Sequence, residues 1–321
     1  DDFFSLGGDS LTAAELVAEI EAIYGIQIPA SDLLLASTVE QLAGIITTGQ
    51  TESPSLVPIR VSGANPPFFC VHGISGEVIS FRNLANYLSD DQPFYALRAR
   101  PAGTTIASVE AMAAHYVTEI QQVQPEGPYF LGGYSFGGTV AFEIARQLVA
   151  QRKAVRLLAL FDTYGPGYPK LLPARKRLAM HGKEFIRATP SEKLRLLRER
   201  ILTNAIKVDK TVRRISYRYL MPSRLTRKDL KAEHQRILWN YAHKPFRGRM
   251  NLFRALDQNI AWHHDPFLGW NGLAAGGIQV HSVPGDHISL MAEPNVAELA
   301  RTLGECLSRA GQDASAVTLD V

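Results

Sequence analysis

From about residue 55 onward, short apolar segments alternate with segments of helical periodicity. The apolar runs typical of buried strands are 68–71, 94–97, 129–131, 155–161, 251–255 and 278–283. Helical segments with one apolar face separate most of them, as at 109–123 and 140–148. Strands and helices that alternate in this way predict an α/β fold with a mostly parallel sheet, covered by helices on both faces.

The composition is that of a globular protein with enough apolar material for a core. Apolar residues make up 46% of the 321 residues and charged residues 20%, which disfavours intrinsic disorder and a disulfide scaffold. No apolar run approaches the roughly 20 residues that span a bilayer, so a membrane protein is not expected. Because Cys70 and Cys306 are far apart in apolar surroundings, we expect two buried free thiols and a cytoplasmic location.

Residues 1–48, the N-terminal segment, have a purely helical pattern. A first helical run ends at Gly25, and Thr38 with Gln41 three residues later predicts a capping box at the start of a second helix. Residues 49–55 are polar and aperiodic, which predicts a linker. A unit of about 50 residues is small for an independent core, and the chain begins without Met. We therefore expect a partial all-α helical bundle from a longer polypeptide.

A long interruption separates the strands predicted at 155–161 and 251–255. Residues 163–246 are helical in composition and predict a lid or binding element. Within them, residues 165–235 carry 19 basic and six acidic residues, about +13, whereas residues 1–50 carry eight acidic and no basic residues, about −8. Two interpretations have equal weight: the acidic segment docks on the basic insertion, or the insertion is simply solvated. Nucleic-acid binding is not expected, because the basic residues are interleaved with Leu and Ile at core-like spacing.

Residues 133–137, Gly-Tyr-Ser-Phe-Gly, match the pattern G-x-S-x-G. The pattern has the context that it requires, because a predicted strand precedes it and a predicted helix follows it. A serine at a tight strand-to-helix turn has a strained backbone, and small neighbours leave room for the chain and for a substrate. We therefore expect Ser135 to be a nucleophile; the alternative is a glycine-rich turn with an incidental serine.

A serine nucleophile needs a base, and the base needs an orienting acid. His287 follows the last predicted strand at a Gly-Asp turn and fits the base best. His72 is a competitor, but it follows an early strand, where such a fold places oxyanion-hole backbone. Asp162 and Asp257 each follow a predicted strand, so the local pattern leaves the choice of acid open.

Three motifs occur together in this chain: Gly-Gly-Tyr-Ser-Phe-Gly-Gly at 132–138, Phe-Asp-Thr at 161–163 and Pro-Gly-Asp-His at 284–287. Together they resemble the type I thioesterase domains that end nonribosomal peptide synthetases and related polyketide synthases. The resemblance covers nearly all of residues 56–310. It implies an α/β-hydrolase fold for residues 56–321, with the helical insertion as a lid over an acyl chamber.

The same resemblance implies roles for individual residues. It implies that Asp162 is the acid of a Ser-His-Asp triad, with Asp257 as a minority alternative. The oxyanion would be stabilised by the backbone amide of Phe136, the residue after the nucleophile, and by one amide of residues 73–75, the oxyanion loop. Within that loop, Ile74 is our choice.

The stretch at 2–11, Asp-Phe-Phe-Ser-Leu-Gly-Gly-Asp-Ser-Leu, resembles the attachment site of a peptidyl carrier domain. In that family the serine receives 4′-phosphopantetheine, which implies a covalent cofactor on Ser10. A serine that opens a helix after Gly-Gly is accessible to a modifying enzyme, and its phosphodiester would lie near the helix N-terminus. The alternative is that Ser10 is only a helix cap.

These resemblances imply the terminal thioesterase of a carrier-linked biosynthetic assembly line, which releases its chain as a free acid or a ring. The expected partners are upstream synthetase modules in the same or a preceding polypeptide, a phosphopantetheinyl transferase and an acyl or peptidyl thioester. A Claisen-type cyclase, a free-standing esterase or lipase, and a non-catalytic docking platform are the alternatives. No metal is expected, because a thioester leaving group is easily expelled and the adjacent histidines at 263–264 predict a solvated loop.

Overall fold

A computed structural model describes residues 1–26, 28–48, 54–100, 106–173, 227–258, 262 and 264–312. The chain divides into two compact units. The first comprises Asp1–Tyr168, Leu225–Gln258 and His264–Val321, and the second comprises Pro169–Arg224 and Asn259–His263. In the described part of the second unit, Leu171 and Trp262 form an antiparallel β-bridge. Most of the predicted lid and of the predicted linker lies outside the described residues, so docking of the acidic segment on the lid stays a prediction.

The first unit is built on a seven-stranded sheet in the order β1-β3-β2-β4-β5-β6-β7. Its strands are β1 Leu56–Arg60, β2 Phe68–Val71, β3 Phe94–Leu97, β4 Tyr129–Tyr134, β5 Val155–Phe161, β6 Met250–Ala255 and β7 Ile278–Val283. Within this sheet β1 pairs antiparallel with β3, and the other neighbouring strands are parallel. The prediction of a mostly parallel sheet is confirmed. Strand β1 was not predicted; its Pro58 is tolerated because the strand lies at the sheet edge.

Helices cover both faces of the sheet. The α-helices are α1 Ser10–Tyr24, α2 Val39–Thr48, α3 Phe81–Asn86, α4 Val109–Val123, α5 Phe136–Ala150, α6 Arg227–Asn240 and α7 Asn295–Gln312, with 3₁₀ turns at Ala30–Leu34 and Ser289–Met291. Successive strand residues point to opposite faces. In β2, Phe69 and Val71 pack with α4, α5 and α6, whereas Phe68 and Cys70 pack with α3 and α7. Cys70 and Cys306 are buried free thiols, as predicted. No described helix is both long and apolar enough to cross a bilayer.

The predicted helix signals in the N-terminal segment are confirmed. Gly25 ends α1 with φ 69°, and the Thr38 amide donates to Gln41 Oε1 at 3.1 Å. The interpretation of Ser10 as a helix cap is wrong, since Asp9 is the N-cap of α1. Its Oδ1 accepts from the amide of Thr12 at 2.8 Å, and Ser10 is the first helical residue.

A buried ion pair joins the N-terminal segment to the sheet. Asp32 is 1% exposed and Arg98, directly after β3, is 2% exposed; the guanidinium contacts Asp32 Oδ1. Arg98 also donates to Ser31 Oγ and to the carbonyl of Pro54, each at 3.1 Å. The apolar core of the segment includes Ile79, from outside it. The N-terminal segment therefore shares polar and apolar contacts with the α/β body.

Candidate active site

Ser135 lies at a tight turn between β4 and α5. Its φ of 56° is in the left-handed region, which costs a non-glycine residue on the order of 1–3 kcal/mol. A Cβ on Gly133 would lie 2.2 Å from the carbonyl oxygen of Gly137, and one on Gly137 would lie 2.2 Å from that of His72. Both obstacles are backbone atoms, so only glycine fits at either position.

Two side chains from the carboxyl ends of other strands extend this site. His287, after β7, places Nε2 2.9 Å from Ser135 Oγ. Its Nδ1 lies 2.7 Å from Oδ2 of Asp162, which directly follows β5. Parallel strands bring their carboxyl ends to one edge of the sheet, and for this reason residues far apart in sequence meet there.

Asp162 is fully buried, and its carboxylate is held by several donors. Oδ1 accepts from the amide of Ala255 at 2.9 Å and from Gln258 Nε2 at 3.2 Å. Asp257, the alternative acid, is exposed, and its backbone amide donates to the carbonyl of Gly285. The geometry thus brings Asp162, and not Asp257, to His287.

Two tyrosines that were not predicted as site residues enclose the imidazole of His287. The rings of Tyr134 and Tyr164 stack on His287 with centroids at 5.3 Å and 5.2 Å, each inclined by 27°. The Tyr134 hydroxyl donates to the carbonyl of His287. Burial, together with the charge of Asp162, raises the pKa of Tyr134 to about 12, so this donor keeps its proton at neutral pH. Both tyrosines stand within two residues of a predicted site residue, but nothing in the pattern indicated a stacking role.

The oxyanion loop follows β2, next to Ser135. Phe136 opens α5, and the first amides of a helix have no intrahelical partner, so its N–H is available to a ligand. The carbonyl of Ile74 accepts from Nδ1 of His234, on α6, at 2.9 Å. His72 lies 2.6 Å from the Gly73 carbonyl through Nδ1 and 3.0 Å from the Tyr116 hydroxyl through Nε2. Burial lowers the pKa of His72 to about 3, so it is a neutral support of the loop.

Ser10 is half-buried at the start of α1. The preceding Gly7 has φ 94° and open space around it, whereas Gly8 packs on the ring of Phe3. An accessible hydroxyl at a helix N-terminus fits a covalently attached phosphodiester. Among the described residues there is no group of three or more His, Cys, Asp or Glu that could hold a metal ion; His263 lies outside them.

Comparison with protein families agrees with this geometry. A family model described as the thioesterase domain matches residues 66–307. The chain belongs to the thioesterase domain family. A second model, described as the phosphopantetheine attachment site, matches residues 1–46 of this thioesterase chain. The predicted order, a carrier segment followed by a thioesterase domain with an α/β-hydrolase-like fold, is therefore confirmed.

Relatives of the thioesterase chain are much longer proteins. Chondramide synthase from Chondromyces crocatus is 30% identical over 332 aligned residues, which cover 94% of this chain and 8% of that protein. Malpinin synthetase from Mortierella alpina is 41% identical over 170 residues, covering 51% of this chain and 2% of that protein. Among solved structures, the four-domain nonribosomal peptide synthetase holo-AB3403, bound to AMP and glycine, matches with a TM-score of 0.60 and 27% identity. That match covers 95% of this chain and 24% of the solved chain. The chain is thus homologous to the termination modules of nonribosomal peptide synthetases, and its thioesterase domain releases a carrier-bound chain.

Proposed function

We propose that this thioesterase takes an acyl or peptidyl chain from phosphopantetheine on Ser10 and releases it through an acyl-enzyme on Ser135. The observation that carries the proposal is the series of contacts from Ser135 through His287 to Asp162, at 2.9 Å and 2.7 Å, in a chain that also has a carrier segment. These distances are typical of a nucleophile hydrogen-bonded to its base and of a base hydrogen-bonded to its orienting acid.

In the proposed cycle, His287 Nε2 accepts the proton of Ser135 as its Oγ attacks the thioester carbonyl carbon. The C–S bond then breaks, and the imidazolium returns the proton to the departing sulfur. Asp162 accepts from His287 Nδ1–H, which fixes the useful tautomer and offsets the positive charge of the imidazolium. Water attack on the acyl-enzyme gives a free acid, and attack by a nucleophile within the chain gives a ring.

Two backbone amides stabilise the negative oxygen that forms during the attack. The amide of Phe136 is at the positive end of α5, and the amide of Ile74 comes from the oxyanion loop. Removal of one such donor typically lowers the rate by about 10²–10³-fold.

Ser10 is the proposed attachment residue, and Asp9 fixes its place at the start of α1. When bound, phosphopantetheine supplies the thiol that carries the chain as a thioester. The proposed partners are the upstream synthetase modules and a phosphopantetheinyl transferase. A carrier segment in the same chain favours this function over a free-standing esterase, which needs none.

The proposal is tested by loading the protein with an acyl-CoA and a phosphopantetheinyl transferase. Mass spectrometry should show the acyl-phosphopantetheine on Ser10 and its loss with time; S10A should not load, whereas the matched variant S5A, in the same segment, should load normally. S135A should load but keep its acyl group. The mass of the released product separates a free acid from a ring. Equal release by wild type and S135A would refute the proposal.

A further inference from the structure

One buried histidine outside the proposed triad contacts both halves of the proposed oxyanion hole. His234, on α6, is 1% exposed. Its ring stacks on Phe136 with centroids 4.8 Å apart and an inclination of 12°, and on His72 at 5.0 Å and 28°. Its Nδ1 lies 2.9 Å from the carbonyl oxygen of Ile74.

The tautomer of His234 follows from these contacts. A carbonyl oxygen can only accept a hydrogen bond, so Nδ1 must carry a proton. Burial lowers the pKa of His234, which leaves the ring neutral and Nε2 without a proton. Nε2 is itself buried and has no hydrogen-bond partner among the described residues. A buried nitrogen without a hydrogen-bond partner is unfavourable, and a carbon ring of the same shape would avoid this cost. The bond to Ile74 is therefore the feature that distinguishes histidine from phenylalanine at this position.

This bond fixes a peptide plane of the oxyanion loop. The Ile74 carbonyl and the Ser75 amide belong to one planar trans peptide, so they point in opposite directions. The preceding plane is fixed as well, because the Gly73 carbonyl accepts from the Gly76 amide at 3.0 Å and lies 2.6 Å from His72 Nδ1. The contacts of the Gly73 carbonyl therefore set the direction of the Ile74 amide, which lies in the same peptide plane. The bond from His234 to the Ile74 carbonyl sets the direction of the Ser75 amide in the same way.

Helix α6 is itself held against this loop. Glu233 accepts from the amide of Ile106 at 3.1 Å, and Ile237 is buried in the core beside α5. Leu230 is so close to the loop that a Cβ on Gly76 would lie 2.9 Å from it. His234 thus projects from an anchored helix onto both parts of the hole.

We propose that His234 is a positioning residue of the oxyanion hole, which fixes the 74–75 peptide relative to Phe136 through its Nδ1–H. This inference rests on the proposed function, since it assigns a role to the same site. His234 exchanges no proton with the substrate. It holds the 74–75 peptide, which adjoins the 73–74 peptide that carries the proposed Ile74 donor, and so it limits rotation of that donor away from the developing negative charge.

Asparagine and glutamine separate this role from simple packing. Asparagine places an N–H donor near the position of Nδ1, whereas glutamine places it near Nε2. With an octanoyl thioester of N-acetylcysteamine, H234Q should lower kcat by about 10–100-fold with KM changed less than about twofold, a partial loss of one oxyanion donor. H234N should stay within about threefold of wild type. H264Q, at an exposed loop histidine, is the matched control and should leave both constants unchanged.

Inhibition by a trifluoromethyl ketone with an octyl chain, whose adduct with a serine bears an oxyanion, should weaken in H234Q by about the same factor as kcat. If H234Q does not fold by circular dichroism, H234F replaces it, since phenylalanine keeps the ring stack and lacks the donor. Equal activity of the donor-lacking variant and wild type, or equal loss in that variant and H234N, would overturn the proposal. Failure of wild type to react with a fluorophosphonate at Ser135 would instead refute the proposed function.

Discussion

The buried pair between Asp32 and Arg98 makes a quantitative prediction about how the N-terminal segment is held. Two unit charges about 3 Å apart attract by roughly 5 kcal/mol at an effective dielectric constant of 20. Desolvation of two ions that are 1% and 2% exposed costs a similar amount, so the pair contributes little net stability. Removal of one partner is different, because it leaves an uncompensated buried charge and typically costs about 3–5 kcal/mol.

The two single substitutions, D32L and R98M, should lower the free energy of unfolding by different amounts. In D32L, Arg98 keeps its hydrogen bonds to Ser31 Oγ and the Pro54 carbonyl, so the free energy of unfolding should fall by about 3 kcal/mol. In R98M, the Asp32 side chain loses its only partner among the described residues, because its Oδ2 is already buried without one. We expect a loss near 5 kcal/mol for R98M. The double variant D32L/R98M should recover to within about 1 kcal/mol of wild type.

Hydrogen exchange of the α1 amides measures this effect locally. A loss of 3 kcal/mol in the opening free energy accelerates exchange by on the order of 100-fold. R301M is the matched control, since Arg301 is 57% exposed on α7 and its ion pairs with Glu298 and Glu305 should contribute less than about 1 kcal/mol. Exchange in R98M within threefold of wild type, or a double variant as unstable as the sum of both singles, would refute a buried, coupled pair.

Three further predictions follow from single contacts. In urea titrations, G137A should lower the free energy of unfolding by more than about 3 kcal/mol, because the added Cβ would clash with backbone atoms. G44A, in α2, should raise the free energy of unfolding by about 0.5–1 kcal/mol, because nothing lies within 4 Å of the added Cβ. D162N should lower kcat by about 10³–10⁴-fold while D257N leaves it unchanged; the reverse result would make Asp257 the acid. The folded-state pKa of His72, about 3, lies below its unfolded value of about 6.5, so the unfolded chain binds the extra proton between these pH values. Urea titrations should therefore show the free energy of unfolding falling as pH falls below about 6.5. H72Q should reduce the slope of this free energy against pH by up to about 1.4 kcal/mol per pH unit, and an unchanged slope would contradict a buried neutral His72.

The sequence was most informative where a strand is buried on both faces. The predicted runs at 68–71, 94–97, 155–161 and 278–283 coincide with β2, β3, β5 and β7, because a continuous apolar run has few alternative structures. The edge strand β1 was missed, since Pro58 interrupts its apolar pattern. Helix α5 begins at Phe136, earlier than the predicted 140, because tertiary contacts of the turn overcome the low helix propensity of two glycines.

Local patterns predicted the proposed nucleophile and base, because each follows a predicted strand, but they left the acid open between Asp162 and Asp257, and only the resemblance to thioesterase domains implied Asp162. They could not identify the residues that hold the site through contacts distant in sequence. His234 lies 160 residues from Ile74, and Tyr134 lies 153 residues from His287. A ring that stacks on such a partner follows the same helical or strand pattern as any core residue, so only the folded arrangement distinguishes it.

Arg98 contacts both the N-terminal segment and the residues that support the oxyanion loop. Its guanidinium contacts Asp32, while its backbone carbonyl accepts from the Tyr116 hydroxyl at 2.9 Å, and that hydroxyl lies 3.0 Å from His72. R98M removes the guanidinium and leaves the carbonyl in place, so it should release the N-terminal segment without disturbing the support of the oxyanion loop. Turnover of a soluble thioester should then match wild type while α1 exchanges faster. If turnover falls as α1 exchange rises, then the position of the N-terminal segment affects the oxyanion loop through the contacts of Tyr116 and His72.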